Sequence, residues 1–150
     1  MRYFEDFIVG EEVSFGRYEV TAEEIIEFAS RYDPQPFHTD PEAAKRSMFG
    51  VLCASGWHTC AMTMRMLVDW MKQESRSGEG SPGVEQIRWL RPVIAGDVLG
   101  LRVRTISARL SGSRPGYGIV TFDLKTVDAT GAPVMTMIAT VFFQQRPEIY

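Results

Sequence analysis

Hydrophobic residues change their spacing along the chain, and the change separates mainly helical segments from a run of strands. From Val84 onward, hydrophobic and polar residues alternate, which is the period of a half-buried strand. A polar Ser/Gly-rich loop, Gln73–Gly83, precedes this region. Short turn-like segments separate four predicted strands: Val84–Leu90, Asp97–Leu110, Gly116–Asp128 and Ala132–Gln145. A fifth strand is predicted at Val13–Val20. The short connections favour antiparallel pairing of the four later strands.

Three helices are predicted before that run of strands. A capping-box sequence, Thr21–Glu24, precedes an apolar stripe that ends before Pro34. Asp40 and Pro41 begin a short second helix, as N-cap and first helical residue. The third helix, Ser55–Met71, is apolar on nearly every face, which is typical of a helix surrounded by protein.

These elements predict an α+β fold in which a five-stranded antiparallel sheet curls around the long helix. The edges of such a sheet and its other face would remain unprotected, so we expect a partner subunit. The chain has 150 residues and shows neither an internal repeat nor an inner linker. We therefore expect a single domain that spans residues 1–150.

The charge balance and the cysteines argue against several functional classes. The 16 Lys and Arg residues and the 19 Asp and Glu residues give a net charge of −3, which does not indicate nucleic acid or a membrane surface as a partner. Glu5 and Asp6 lie where a signal peptide needs its apolar region. Cys53 and Cys60 are expected to be buried free thiols in a reducing cytoplasm. With His58 they lack the ligand spacing of a zinc site.

The segment Asp33–Asp40, with the sequence DPQPFHTD, contains one of the two histidines of the chain. Its structural interpretation is a proline-stiffened turn between two helices, in which His38 has no chemical role. Its functional interpretation is a pocket in which Asp33 and His38 hold one water molecule between a carboxylate and an imidazole. Such a pair can take a proton from water and deliver one to carbon.

A second candidate element begins the long helix, in the sequence ASGWHT at Ala54–Thr59. The first N–H groups of a helix lack partners within it and lie at the positive end of its dipole. Gly56 would allow a ligand to approach this backbone without a Cβ in the way, and its N–H could stabilise a negatively charged oxygen. The structural alternative is that Gly56 only permits tight packing at the start of the helix.

Together, the two elements resemble the hydratase signature of the MaoC-like dehydratases, the (R)-specific enoyl-CoA hydratases. Asp33, Pro36, His38 and Asp40 match the family pattern, and Gly56 follows at the family spacing. The long helix and the four later strands are also compatible, so the resemblance covers most of the chain. It implies a hot-dog fold and reversible addition of water to a trans-2-enoyl-CoA.

The resemblance also implies roles for individual residues. Asp33 and His38 would be the catalytic pair, and the Gly56 N–H would form the oxyanion hole. Coenzyme A would arrive as part of the acyl-CoA thioester substrate, with no metal or redox cofactor. The family suggests a homodimer or higher homo-oligomer in which the neighbour completes the coenzyme tunnel. Open candidates for the coenzyme phosphates are Arg88, Arg91 and Arg114.

Two departures from the family pattern concern the substrate. Gln35 stands where the family has asparagine, and Ser55-Gly56-Trp57 stands where the family often has His-Gly-Met. We expect Gln35, Ser55 and Trp57 to contribute to substrate binding, with Trp57 reshaping the acyl pocket. His58 is interpreted as a residue that packs the helix.

Two alternative functions stay open at this point. A hot-dog thioesterase often uses a carboxylate from the central helix, but the first acidic residue after Gly56 is Asp69, more than three turns farther along. The other alternative is a subunit that binds acyl thioesters without acting on them.

Overall fold

A five-stranded antiparallel sheet forms the frame of the protein. The computed structural model describes residues 1–74 and 78–149, so part of the predicted Ser/Gly-rich loop lies outside the described residues. The strands are β1 (Glu12–Glu19), β2 (Gly83–Trp89), β3 (Val98–Leu110), β4 (Tyr117–Val127) and β5 (Pro133–Gln144). The five predicted strands are confirmed, because their ends differ from the predicted ends by at most one residue.

The order of the strands across the sheet is β1-β3-β4-β5-β2, which differs from their order along the chain. The centre is built from β3, β4 and β5, which pair as successive neighbours. β1 lies at one edge beside β3, and β2 lies at the other edge beside β5. Within the described residues, each edge strand therefore has a neighbouring strand on one side only.

An irregularity in β2 changes the face of the sheet toward which its last side chains point. Between Glu85 and Arg88 the pairing with β5 shifts by one residue, and Gln86 adopts a positive φ of 53° there. Side chains alternate between the two faces of a strand, so one extra residue reverses every side chain that follows. The bulge thus places Trp89 opposite Met135, which is fully buried.

Four helices accompany the sheet: α1 (Ala22–Tyr32), α2 (Pro36–Thr39), α3 (Pro41–Lys45) and α4 (Gly56–Gln73). The predicted N-caps of α1 and α3 are confirmed. Thr21 Oγ1 accepts a hydrogen bond from the Glu24 N–H over 3.2 Å, and Asp40 Oδ1 accepts one from the Glu42 N–H over 3.0 Å. α2 was not predicted, although Pro36 at its first position is well suited to start a helix.

The predicted capping box at the start of α1 is only half formed. The Glu24 side chain does not return to the backbone of Thr21 and instead accepts hydrogen bonds from Tyr18 and His58. Tertiary partners have therefore replaced a local contact that the sequence favours.

The core lies between α4 and the sheet. Met62 and Met66 of α4 are buried together with Leu99, Leu101 and Leu124 from β3 and β4. Burial of each such side chain stabilises the fold by about 1.5–3 kcal/mol relative to exposure. The prediction of a sheet wrapped around the long helix is confirmed by this packing.

One face of α4 is nevertheless open within this chain. Trp57 and Met64 on that face are 58% and 56% exposed. The sheet covers the opposite face of α4, so within this chain the predicted surrounding of the helix by protein is met on that side only. No helix in the described part of the chain has the length and hydropathy needed to cross a membrane.

Candidate active site

Asp33 and His38 lie on neighbouring short elements that bring their side chains together. Asp33 is the C-cap of α1, and His38 belongs to α2, which begins three residues later. His38 Nε2 lies 3.5 Å from Asp33 Oδ2. The His38 side chain is buried, whereas Asp33 remains partly exposed. A carboxylate at the rim and an imidazole beneath it can share one small polar ligand between them.

The backbone fixes which ring nitrogen of His38 carries a proton. His38 Nδ1 lies 2.6 Å from the carbonyl oxygen of Cys53. A carbonyl oxygen can only accept, so Nδ1–H donates to it, and Nε2 is the nitrogen free to gain or lose a proton. That nitrogen faces Asp33, so proton exchange at His38 occurs on the side of the carboxylate.

Three polar neighbours keep Asp33 ionised. Burial opposes ionisation of its carboxyl, but hydrogen bonds from Gln35 and Ser55 and the positive charge available on His38 outweigh burial and lower the pKa of Asp33 below its usual value. Gln35 Nε2 donates to Oδ1 over 2.7 Å, and Ser55 Oγ donates to Oδ2 over 2.8 Å. The neighbours of Asp33 thus favour its ionised form, and protonation of the carboxylate would weaken these interactions.

Gly56 begins α4 directly after Ser55, which is the N-cap of the helix. The Ser55 hydroxyl accepts a hydrogen bond from the Trp57 N–H over 3.3 Å while it donates to Asp33. The Gly56 N–H donates to no atom of the described residues. It is therefore available to an oxygen at the positive end of an 18-residue helix.

A cavity of about 450 Å³ joins these groups. Asp33, His38, Gly56 and Trp57 all line it. Further walls come from apolar side chains, namely Phe37, Phe49, Leu90, Pro92 and Val93. A mostly apolar cleft with a few convergent polar groups is the usual form of a small-molecule site.

The other two predicted substrate-binding residues occupy different positions. Ser55 is fully buried, and Gln35 is exposed. Both side chains donate hydrogen bonds to the carboxylate oxygens of Asp33, and neither residue lines the cavity. Their direct contact with a substrate stays a prediction, whereas their contact with the carboxylate is a feature of the structure.

Trp89 is a residue of the site that the sequence did not reveal. Its indole Nε1–H donates to the Gly56 carbonyl oxygen over 2.9 Å, and its ring forms an edge-to-face contact with Trp57 at 5.3 Å between centroids. The strand that carries Trp89 was predicted, but the alternation of its side chains gave no indication that the indole reaches α4. A tryptophan at the end of an edge strand was the only available signal.

The three arginine candidates for coenzyme phosphates have different surroundings. Arg91 lines the cavity, but its guanidinium is paired with Asp97 and Asp128 at 2.9 and 3.2 Å. Arg114 stacks over the Phe142 ring at 5.4 Å. Arg88 is exposed on β2, next to Trp89.

A second polar cluster lies between α1, α4 and β1. His58 Nε2 lies 3.0 Å from Glu24 Oε1, and the Tyr18 hydroxyl donates to the same oxygen. His58 is buried and stacks on Phe28 at 4.8 Å, which agrees with its interpretation as a packing residue. His58 therefore makes a polar contact with Glu24 as well as an aromatic contact with Phe28.

Asp69, the carboxylate that the thioesterase alternative requires, lies outside the cavity. It forms an ion pair with Arg65 at 2.8 Å on the exposed side of α4. Among the residues that the structure describes, no group of three or more His, Cys, Asp and Glu side chains is arranged to hold a metal ion.

Residues 6–125 match the family described as MaoC like domain. The crystal structure of a MaoC-like dehydratase from Rhodospirillum rubrum is similar with a TM-score of 0.88 and 38% identity, covering 99% of this chain and 100% of that chain. A structure of the monoamine oxidase regulatory protein from Archaeoglobus fulgidus gives 0.84 and 26%, covering 97% and 96%. The (R)-hydratase from A. caviae gives 0.69 and 22%, covering 95% and 99%.

The last of these likenesses concerns the fold alone, and it agrees with a sheet that wraps around a long helix. The family match spans most of the chain, including the segment with Asp33, His38 and Gly56. The protein therefore has the hot-dog fold and belongs to the family of MaoC-like dehydratases.

Proposed function

We propose that the protein catalyses the reversible hydration of trans-2-enoyl-CoA thioesters. The observation that carries the proposal is the 3.5 Å approach of His38 Nε2 to Asp33 Oδ2 in a cavity that also contains the start of α4 at Gly56. An acid/base pair and an unpaired helix N–H are the two devices that addition of water to a conjugated thioester needs.

The proton path follows from the two donors and acceptors. A water molecule held by Asp33 and His38 loses a proton to the Asp33 carboxylate while its oxygen bonds to the β-carbon of the enoyl group. His38 starts the reaction protonated at Nε2 and donates its Nε2 proton to the α-carbon on the same face. The proton on Asp33 then passes to His38 and restores the pair, so that one water has been added.

The negative charge that develops during addition falls on the thioester oxygen. The Gly56 N–H is assigned to that oxygen, because it lacks a partner among the described residues and lies at the positive end of α4. Removing one such donor typically costs about 10²–10³ in rate. The donor is a backbone group, so its contribution depends on how rigidly the start of the helix is held.

The direct test compares Asp33→Asn and His38→Gln with the unchanged protein. Each variant should lose nearly all consumption of enoyl-CoA, followed by ultraviolet absorbance, while circular dichroism shows an intact fold. Asp69→Asn is the matched control, because that carboxylate is outside the cavity, and it should keep full activity. Folded variants of Asp33 and His38 with unchanged turnover would refute the assignment.

The same experiment separates the two alternative functions. Release of free thiol from saturated acyl-CoA, lost in Asp69→Asn, would indicate a thioesterase. Binding of enoyl-CoA in isothermal titration without turnover in either direction would indicate a binding subunit. Hydration that depends on Asp33 and His38 excludes both.

A homodimer or higher homo-oligomer accompanies this proposal. The outer side of β2 has no neighbouring strand within the described residues. Trp57 and Met64 lie exposed on the open face of α4. A second copy would cover such surfaces and could contribute contacts to coenzyme A. Sedimentation analysis would measure the assembly.

Both cysteines are free thiols, in keeping with a cytoplasmic site for the reaction.

A further inference from the structure

We propose that Trp89 is a specificity-determining residue, whose indole limits the length of the acyl group that the site accepts. The inference rests on the proposed hydration of enoyl-CoA and extends it to a residue that neither the sequence pattern nor the family match singles out. It depends on three features: the bulge that aims Trp89, its contact with Gly56, and its pairing with Trp57.

The bulge in β2 gives Trp89 its direction. Without the extra residue at Gln86, strict alternation would turn the indole toward the outer face of the sheet. With the shift in register, Trp89 stands opposite Met135 and faces the side on which α4 lies. A positive φ at a residue other than glycine is unfavourable, and bulges of this kind often re-aim a side chain beside a site.

The indole then lies directly on Gly56. A Cβ added to Gly56 would meet Trp89 Cε2 at 2.4 Å, which is far inside van der Waals contact. The Nε1–H of the same ring donates to the Gly56 carbonyl oxygen. Trp89 is therefore one reason why position 56 has no side chain, in addition to the access that a ligand needs.

The peptide group between Gly56 and Trp57 is held at both ends. Its carbonyl oxygen accepts from Trp89, and its N–H donates to the Ser55 hydroxyl. Trp89 Cε2 lies only 2.4 Å from the position that a Gly56 Cβ would occupy, so the indole packs against the residue whose N–H is assigned to the thioester oxygen. Both residues line the same cavity, so the ring borders the space available to the acyl group of that thioester.

Trp57 completes the restriction. The two rings meet edge to face and both line the cavity, and in the single chain they are 58% and 45% exposed. Two indoles on the wall of a cavity of about 450 Å³ restrict the space for an extended chain. The expected preference is for short enoyl groups over long ones.

The main experiment measures kcat/KM for crotonyl-, hexenoyl-, octenoyl- and decenoyl-CoA with Trp89→Ala and Trp89→Phe. A methylene group in an apolar pocket changes discrimination by about tenfold or more, so Trp89→Ala should raise the ratio of octenoyl-CoA to crotonyl-CoA by at least about tenfold. Trp89→Phe keeps much of the ring volume but loses the N–H. It should keep the short-chain preference even where its rate falls.

A second experiment tests the contact without using activity. Gly56→Ala should lower the thermal unfolding midpoint because its Cβ collides with the indole. In a Trp89→Ala background the same change should lower the midpoint much less. Equal losses in the two backgrounds would show that the indole does not occupy the space over Gly56, and would overturn the inference.

The outcomes distinguish this inference from the proposed function. Hydration with a chain-length profile that is unchanged in folded Trp89→Ala would overturn the role of Trp89 and leave the hydratase proposal standing. An absence of hydration for every substrate, together with chain-length selection in titrations that disappears in Trp89→Ala, would overturn the hydratase proposal and leave the role of Trp89 as a selector of thioesters.

Discussion

Ser55 Oγ donates a hydrogen bond to Asp33 Oδ2 over 2.8 Å, so the N-cap of the central helix is bonded to the proposed catalytic carboxylate. Ser55 also accepts from the Trp57 N–H in the first turn of α4. One hydroxyl therefore connects the proposed base with the backbone of the proposed oxyanion hole. Its loss should affect stability and chemistry together.

Ser55→Ala should destabilise the protein by about 1 kcal/mol through loss of the helix cap. It should also raise the pKa of Asp33, because one of the hydrogen bonds that favour the carboxylate disappears. A higher pKa means that the carboxylate is protonated at a higher pH, so the acid limb of the pH–rate profile should move upward. Denaturant unfolding and a pH profile of kcat/KM measure the two effects.

Thr21→Ala is the control for that experiment. Thr21 caps α1 by accepting from the Glu24 N–H, away from Asp33. Its loss should destabilise by a similar amount and leave the acid limb in place. An acid limb that moves equally in both variants would contradict a specific effect of Ser55 on Asp33.

Arg91 connects the cavity wall with two carboxylates whose ionisation is favoured by folding. A hydrogen bond from Thr130 is the largest cause that lowers the pKa of Asp128 to about 2, and Arg91 adds to it. Burial opposes ionisation of Asp97, but Arg91 and the Ile94 N–H outweigh it and lower the pKa of that carboxyl. Because folding lowers these pKa values, the two carboxylates stabilise the folded state at any pH above their pKa in the unfolded chain. This stabilisation is lost as the pH falls toward their pKa in the folded state.

Arg91→Met should therefore reduce the free energy of unfolding at pH 7, and the difference from the unchanged protein should shrink as pH falls from about 4 toward about 2. Unfolding in urea at several pH values measures this. Arg65→Met removes an exposed ion pair with Asp69 and should change stability little at any pH. A deficit in Arg91→Met that is constant with pH would contradict the electrostatic explanation.

Glu24 influences the ionisation of Tyr18. Burial is the largest cause that raises the pKa of Tyr18 to about 12, and the hydrogen bond and charge of Glu24 add to it. Glu24→Gln should therefore lower the pKa of Tyr18 without returning it to 10.0, its ordinary value, because burial persists. Nuclear magnetic resonance titration of the tyrosine rings measures the shift.

Glu24→Gln should also change the pH dependence of stability. Burial opposes ionisation of Glu24, but hydrogen bonds from Tyr18 and His58 lower its pKa below 4.5, the ordinary value. The resulting stabilisation is present above that value and is lost as the pH falls below it. The variant should thus be less stable at pH 7 and comparable at low pH. Glu27→Gln, exposed on the same helix, should show neither change.

A buried pair of threonines joins α4 to β4. Thr63 Oγ1 and Thr126 Oγ1 lie 2.6 Å apart, and both residues are at most 2% exposed. Thr63→Val leaves the Thr126 hydroxyl buried without this partner and should cost about 1–3 kcal/mol. Replacing both by valine removes both polar groups and should be nearly neutral. A double variant as unstable as the sum of the singles would show that packing, not hydrogen bonding, sets the cost.

Local periodicity explains which parts of the fold could be predicted. The strands and the long helix could be predicted from the spacing of hydrophobic residues. Residues that share one buried face of a strand or helix recur along the sequence at the period of that element. α2 has four residues, which is too short for a periodic signal, and it was therefore missed. The partner of Glu24 was also misjudged, because a local capping contact and a contact with His58 in a distant helix compete for one carboxylate.

The sequence by itself determined the elements, the candidates Asp33, His38 and Gly56, and the family that their spacing resembles. Only the tertiary structure decided how these groups face one another. The ring nitrogen of His38 that carries the proton is set by the carbonyl of Cys53, 15 residues away. The position of the Trp89 indole over Gly56 depends on a bulge that changes the face toward which the last side chains of β2 point. Spacing along a chain records local preferences, whereas strand register and backbone acceptors exist only once distant segments have packed together.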